Sequence, residues 1–147
     1  MILDYLTQLA DTQAVTDADA YTLYSYDLGN KTPKINPGAG EPMCLLFTID
    51  VAAAGSTDTT DLMAVTSANA NLSSHIELLS WRIANASLTA GSQWIIPLPG
   101  GANLYRRYIG GRVELGSGDT LTFSCDMIPL SDASKLETYA DAVTFDA

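Results

Sequence analysis

Leu121-Thr122-Phe123-Ser124-Cys125-Asp126-Met127 alternates apolar and polar side chains without a break. A two-residue period places Leu121, Phe123, Cys125 and Met127 on one face of an extended chain and Thr122, Ser124 and Asp126 on the other. The spacing predicts a strand with one buried and one wet face. Met43 to Val51, MCLLFTIDV, is instead a nearly continuous apolar run of strand length between turn residues. That pattern predicts a strand buried on both faces.

Shorter segments repeat the theme. Tyr21, Leu23 and Ser25 alternate with Thr22, Tyr24 and Tyr26, closing at Leu28-Gly29-Asn30. Residues 30–42 hold Pro33, Pro37 and Pro42 and read as a loop. Leu62 to Thr66 is a further strand. His75 to Arg82 reads as one with Ile76 and Leu78 on one face and Leu79 and Trp81 on the other. Trp94 to Leu98 contains Pro97, which cannot donate to a ladder, so this strand is expected to be short or at a sheet edge. Tyr105 to Ile109 completes the set. Seven or eight short strands between Gly/Pro turns predict an all-β fold, a jelly-roll type sandwich. No helical period persists long enough for a βαβ unit.

The ends differ from the middle. Ile2, Leu3, Leu6 and Leu9 recur at spacings of three and four, with Tyr5 beside them. That is a turn or two of helix or, better for so short a segment, an arm packed on a neighbour. The expected organisation is an N-terminal arm over 1–14, a sandwich over 15–130 and a C-terminal tail over 131–147, with a helical turn possible around Leu136 and Tyr139. A chain of 147 residues is one domain's worth and can bury a real core.

Net charge is −10, from 17 acids and 7 bases. Such a chain is repelled by phosphate backbones and anionic membranes, so no nucleic acid and no membrane partner is expected. The opening MILDYLTQLAD lacks a basic segment and carries Asp4, so no secretory signal is expected. Two cysteines, Cys44 and Cys125, sit inside apolar strand patterns and are expected as buried thiols, although one bridge between them stays open.

Catalytic constellations are missing from the sequence. His75 is the single histidine, and no G-x-S-x-G elbow, zinc spacing, EF-hand or phosphate-binding glycine loop occurs. No cofactor and no enzymatic activity is expected. The charges point elsewhere. Residues 1–30 hold five aspartates and no Lys or Arg, whereas Leu78 to Val113 holds no acid and four arginines, Arg82, Arg106, Arg107 and Arg112. Two readings follow: a solvated surface with segregated charge, or complementary patches that meet between subunits. The arginines, with Tyr105 and Tyr108, have the composition of a protein-binding hot spot; alternatively the tyrosines are core and the arginines dress a sheet face.

Several motifs in order resemble a known family. Asp11-Thr12-Gln13-Ala14-Val15-Thr16 and Asp27-Leu28-Gly29 follow the short apolar-acidic opening. Gly40-Glu41-Pro42 precedes the first long apolar strand, and Leu88-Thr89-Ala90-Gly91 the strand ending Ile96-Pro97. Pro99-Gly100-Gly101-Ala102 then leads into Leu104-Tyr105-Arg106-Arg107. This series, from residue 2 to about 110, resembles the Bbp16-like capsid cement (decoration) proteins of tailed bacteriophages. Cys125 in the last strand and the long tail after Pro129 depart from that pattern. The resemblance implies a jelly-roll structural protein of the virion, made in the host cytoplasm. It would sit on the outer surface of an HK97-type capsid as a homo-oligomer, dimer or trimer, and bridge the major capsid protein. Ile2, Leu3, Tyr5, Leu6 and Leu9 of the arm, and Arg82, Tyr105, Arg106, Arg107 and Arg112, are the expected partner-binding residues. Two other readings are a tail- or fibre-associated jelly-roll binding module and a small carbohydrate-active enzyme with Trp81 and Trp94 lining a sugar groove.

Overall fold

The computed structural model describes residues 7–16, 19–29, 42–54, 59–100, 104–116 and 118–133. Among these, nine strands form two antiparallel sheets. The first sheet has the order β1 (Gln8–Thr16), β9 (Thr120–Pro129), β4 (Met43–Ala54), β7 (Gln93–Pro97). The second runs β2 (Ala20–Tyr21), β8 (Tyr108–Glu114), β5 (Thr59–Ser67), β6 (Ile76–Ala84), with β3 (Tyr26–Asp27) also on β8.

β9 and β4 form the spine of the first sheet, with Phe47 opposite Cys125 and Ile49 opposite Phe123. Leu121, Phe123, Cys125 and Met127 point into the space between the sheets as the alternation predicts, joined by Leu45, Phe47 and Ile49. From the second sheet Leu62, Ala64, Ile83, Ile109 and Val113 fill the same core. Phe47 and Phe123 pack with ring centroids 5.8 Å apart. Gly111 on β8 lies under Phe47, whose Cζ would stand 2.9 Å from any added Cβ. The other face of β4 is buried too: Cys44 and Leu46 pack with Ile128 and Ala133. A helical turn starting at Leu130 thus lies across the outside of the first sheet. β7 is the edge strand that Pro97 required.

Four expectations change. The segment expected as an arm over 1–14 contributes residues 8–14 to β1, paired with β9, and Leu9 is buried in the core. Register shifts on both sides of Ala10 and a positive φ at Thr12 break the two-residue period, so Leu9 and Ala10 are both buried. The strand expected over 21–26 is two short pieces. Between them the Thr22 N–H still donates to the Gly111 carbonyl, but the return bond from the Gly111 N–H goes to the Thr22 hydroxyl, which in turn donates to the Tyr24 carbonyl. The strand expected at Tyr105 starts at Tyr108. In β6, a register shift passes over Leu78, so Ile76, Leu79 and Trp81 all share the face of Thr66, Ala64 and Leu62. Residues 134–147, with Leu136 and Tyr139, lie outside the described residues.

Candidate interaction surfaces

The outer face of the second sheet gathers three of the four expected arginines, and each meets an acid of its own chain. Arg82 holds Asp61 through Nε at 2.9 Å and Nη2 at 3.2 Å. Arg107 holds Asp27 in the same two-point manner at 2.9 and 2.9 Å, drawing the Asp27 carboxyl below its usual range. Arg112 spans Glu114 at 3.0 Å and Asp19 at 3.2 Å and lies over the Tyr21 ring at 4.8 Å. Tyr21 in turn meets His75 Nδ1 through its hydroxyl at 2.6 Å. The acidic N-terminal stretch and the acid-free region are therefore complementary, and they meet within one chain. Fork geometry explains why arginine rather than lysine fills these places.

The remaining expected residues divide. Arg106 is exposed, and its backbone N–H donates to Thr66 Oγ1. Tyr105 is a correction: it is 1% exposed and its hydroxyl donates to the Pro99 carbonyl, so it is core and not a contact for another molecule. Burial pushes its phenol up to about 12. Leu9 is a second correction, since its side chain fills the core between the sheets. Ile2, Leu3, Tyr5 and Leu6 lie outside the described residues.

Both cysteines are buried free thiols, raised by desolvation, Cys44 to about 11. Thr60, Asn85 and Asp119 form a buried chain of hydrogen bonds, 2.6 and 2.7 Å long, which ties β5 to the turn before β9. Among the described residues no group of three or more His, Cys, Asp or Glu is placed to hold a metal. Trp81 and Trp94 do not form parallel walls; they pack edge to face, centroids 5.7 Å apart at 84°.

What the sequence reading missed is the edge of β6. Ile76, Leu79 and Trp81 are 42%, 43% and 48% exposed on a strand that has β5 on one side only. The bulge at Leu78 hid this, because it turns two apparently opposed pairs into one apolar row.

These features define a small antiparallel β-sandwich whose polar outer face is largely neutralised from within and whose edge strand β6 is apolar. The family model of Bbp16 matches residues 9–125, and the chain belongs to the Bbp16 family. Membership points to a virion-associated protein of a phage. No curated protein matches the chain. Among the described residues no helix is long and apolar enough to cross a membrane.

Proposed function

We propose that the chain is a capsid cement subunit, a structural and non-enzymatic protein. It binds the outer surface of an HK97-type head as a symmetric oligomer and stabilises contacts between major capsid proteins. The observation that carries this reading is the Bbp16 match over residues 9–125. Strand order supports a jelly roll. β1 pairs with β9, β2 with β8, β4 with β7 and β5 with β6, the nesting obtained when one long antiparallel hairpin is rolled into two sheets. A net charge of −10 suits the outside of a shell better than its DNA-facing lining, and argues against nucleic-acid or membrane partners.

Mechanically, a cement subunit need not bind each capsid protein tightly. An oligomer touching several shell subunits gains from effective concentration, so modest contacts add to firm attachment. With Arg82, Arg107 and Arg112 each held by an internal acid, Arg106 is the arginine best placed to meet a capsid carboxylate.

The test is co-sedimentation of purified protein with undecorated, expanded heads, quantified as copies per shell. Saturable binding in a fixed ratio to the major capsid protein, with a more heat-resistant shell, is the expected result. Failure to bind intact expanded heads at micromolar concentration would overturn the proposal and favour a tail- or fibre-associated module.

A further inference from the structure

We propose that a second copy of the chain pairs antiparallel along β6, about a two-fold axis through Ser80, so that two sandwiches share one continuous sheet. The inference rests on the oligomeric part of the cement reading and specifies where that oligomer is joined.

The argument begins with the open edges. Sheet edges left with unpaired backbone groups are templates for another strand, and natural proteins blunt them. Among the described edges, β7 is five residues long and ends in Pro97, β2 and β3 are two residues each, and β1 is broken by two register shifts. β6 is nine residues long, with no proline and no lysine, and seven of its residues are exposed. It also carries the exposed row Ile76, Leu79 and Trp81. An edge this long and this apolar is left open only at a cost in solubility, unless something covers it.

Charge and face then select the occupant. Register with β5 puts Ile76, Leu79, Trp81 and Ile83 on the inner side and Glu77, Ser80 and Arg82 on the outer side. A symmetric antiparallel pair must match these sides, and it must allow for the bulge that passes over Leu78. Centred on Ser80, the ladder places Leu79 against Trp81 of the second copy, twice, on the inner side. Beyond the bulge it places Ile76 against Ile83 and, on the outer side, Glu77 against Arg82, twice; Arg82 keeps Asp61 on Nε and Nη2, and its side chain, 73% exposed, is open to a second carboxylate. A centre at Leu79 sets Glu77 against Ser80, and a centre at Trp81 sets it against Ala84, so neither alternative pairs the charges. The edge is thus complementary to itself, which is what an isologous two-fold contact requires. Trp94 already braces the Trp81 ring edge to face, so little side-chain freedom is lost on pairing.

Sedimentation of the free full-length protein, with a cross-linking variant, tests this. Both native thiols are buried, so Ser80→Cys introduces one accessible thiol. In the proposed register the two copies of residue 80 face each other at roughly 4.5–5.5 Å between Cα atoms, within disulfide range. Expected are a dimer in solution, rapid formation of a covalent dimer by Ser80→Cys, and none by Gln93→Cys on neighbouring β7. Leu79→Lys should weaken the dimer at least about tenfold while circular dichroism shows the fold intact. A monomer at all concentrations up to roughly 100 µM would overturn the proposal. So would a dimer indifferent to Leu79→Lys that Ser80→Cys fails to link. Linkage of the introduced thiol to capsid protein on heads, without dimers in solution, would assign the edge to the shell and overturn it too. Head binding by the wild-type chain is scored separately, so loss of the dimer and loss of the cement role are distinct results.

Discussion

The two outer faces of the sandwich each hold a small apolar cluster and differ in what surrounds it. Outside the first sheet, Cys44, Leu46 and Ile128 are covered by Ala133 and flanked by Ile95 and Leu130, a second small core on the far side of β4. Outside the second sheet, Met63, Val65 and Leu72 form only a narrow apolar strip beside Tyr21 and Tyr108. Around that strip run the pairs Arg82–Asp61, Arg107–Asp27 and Arg112–Glu114. One face is sealed by the chain's own later residues; the other is sealed only at its centre, by Leu72 over Met63 and Val65, and is bordered by solvated ion pairs. A face sealed by apolar packing should be sensitive to lost volume, whereas a face of solvated ion pairs should tolerate substitution and respond to salt.

The largest effect is therefore expected at Leu46, 3% exposed beneath the turn at Leu130. Leu46→Ala should cost about 2–5 kcal/mol in urea unfolding, the range for a buried leucine whose site relaxes only in part. A cost under about 1 kcal/mol would mean the turn collapses onto the gap and the outer cluster is loosely held.

Directly opposite Leu46 stands Asp126, an acid inside the sealed face. It is 4% exposed, and its Oδ1 has no hydrogen-bond partner. Burial, with repulsion from Asp11 and Asp50, pushes its carboxyl up to about 6. The folded chain therefore holds a proton that an unfolded aspartate, with a pKa near 3.9, has already lost. Stability should fall as pH rises from about 4 to about 6, by about 2 kcal/mol, and stay lower above that window. Asp126→Asn should remove this fall, so that variant and wild type differ most at neutral pH and converge on acidification. A wild-type curve flat across that window would show that water or a counter-charge reaches the carboxylate.

How far the two faces could be read from the sequence follows from the same contrast. β4 and β9 were legible because burial writes itself as uninterrupted run or strict alternation, and β7 because Pro97 confines it to an edge. β1 was not, since two register shifts bury Leu9 and Ala10 in succession and erase the period. The face of β6 was lost to one bulge. The arginine cluster was legible as composition but not as pairing, because its acids, Glu114 apart, lie 21, 80 and 93 residues away in sequence. Charge segregation along a chain states that complements exist; only the fold states whether they meet inside one molecule. The family was legible through the ordered motifs of residues 11–107.

Within the exposed face the pairs should themselves be graded. Arg112, with a side chain 16% exposed, is wedged between Tyr21, Asp19 and Glu114. Arg112→Met keeps the aliphatic stem but strands two acids, and should cost about 1–2 kcal/mol. That loss should shrink little in salt, because a half-buried pair is poorly screened.

The Asp27–Arg107 pair should matter least. Both side chains are about two-fifths exposed, so the short contacts act across water and are screened by salt. Asp27→Asn should move the urea midpoint less than any change above. The sign is opposite to that at Asp126: Arg107 lowers the folded pKa, so the contribution exists above the unfolded value near 3.9 and is lost as pH falls through the depressed one. The variant should therefore approach wild type in acid and in about 1 M salt. If instead Asp27→Asn matched Arg112→Met and resisted salt, the second sheet's outer face would be a coupled network, and the boundary between a sealed and a merely neutralised surface would have to be drawn elsewhere.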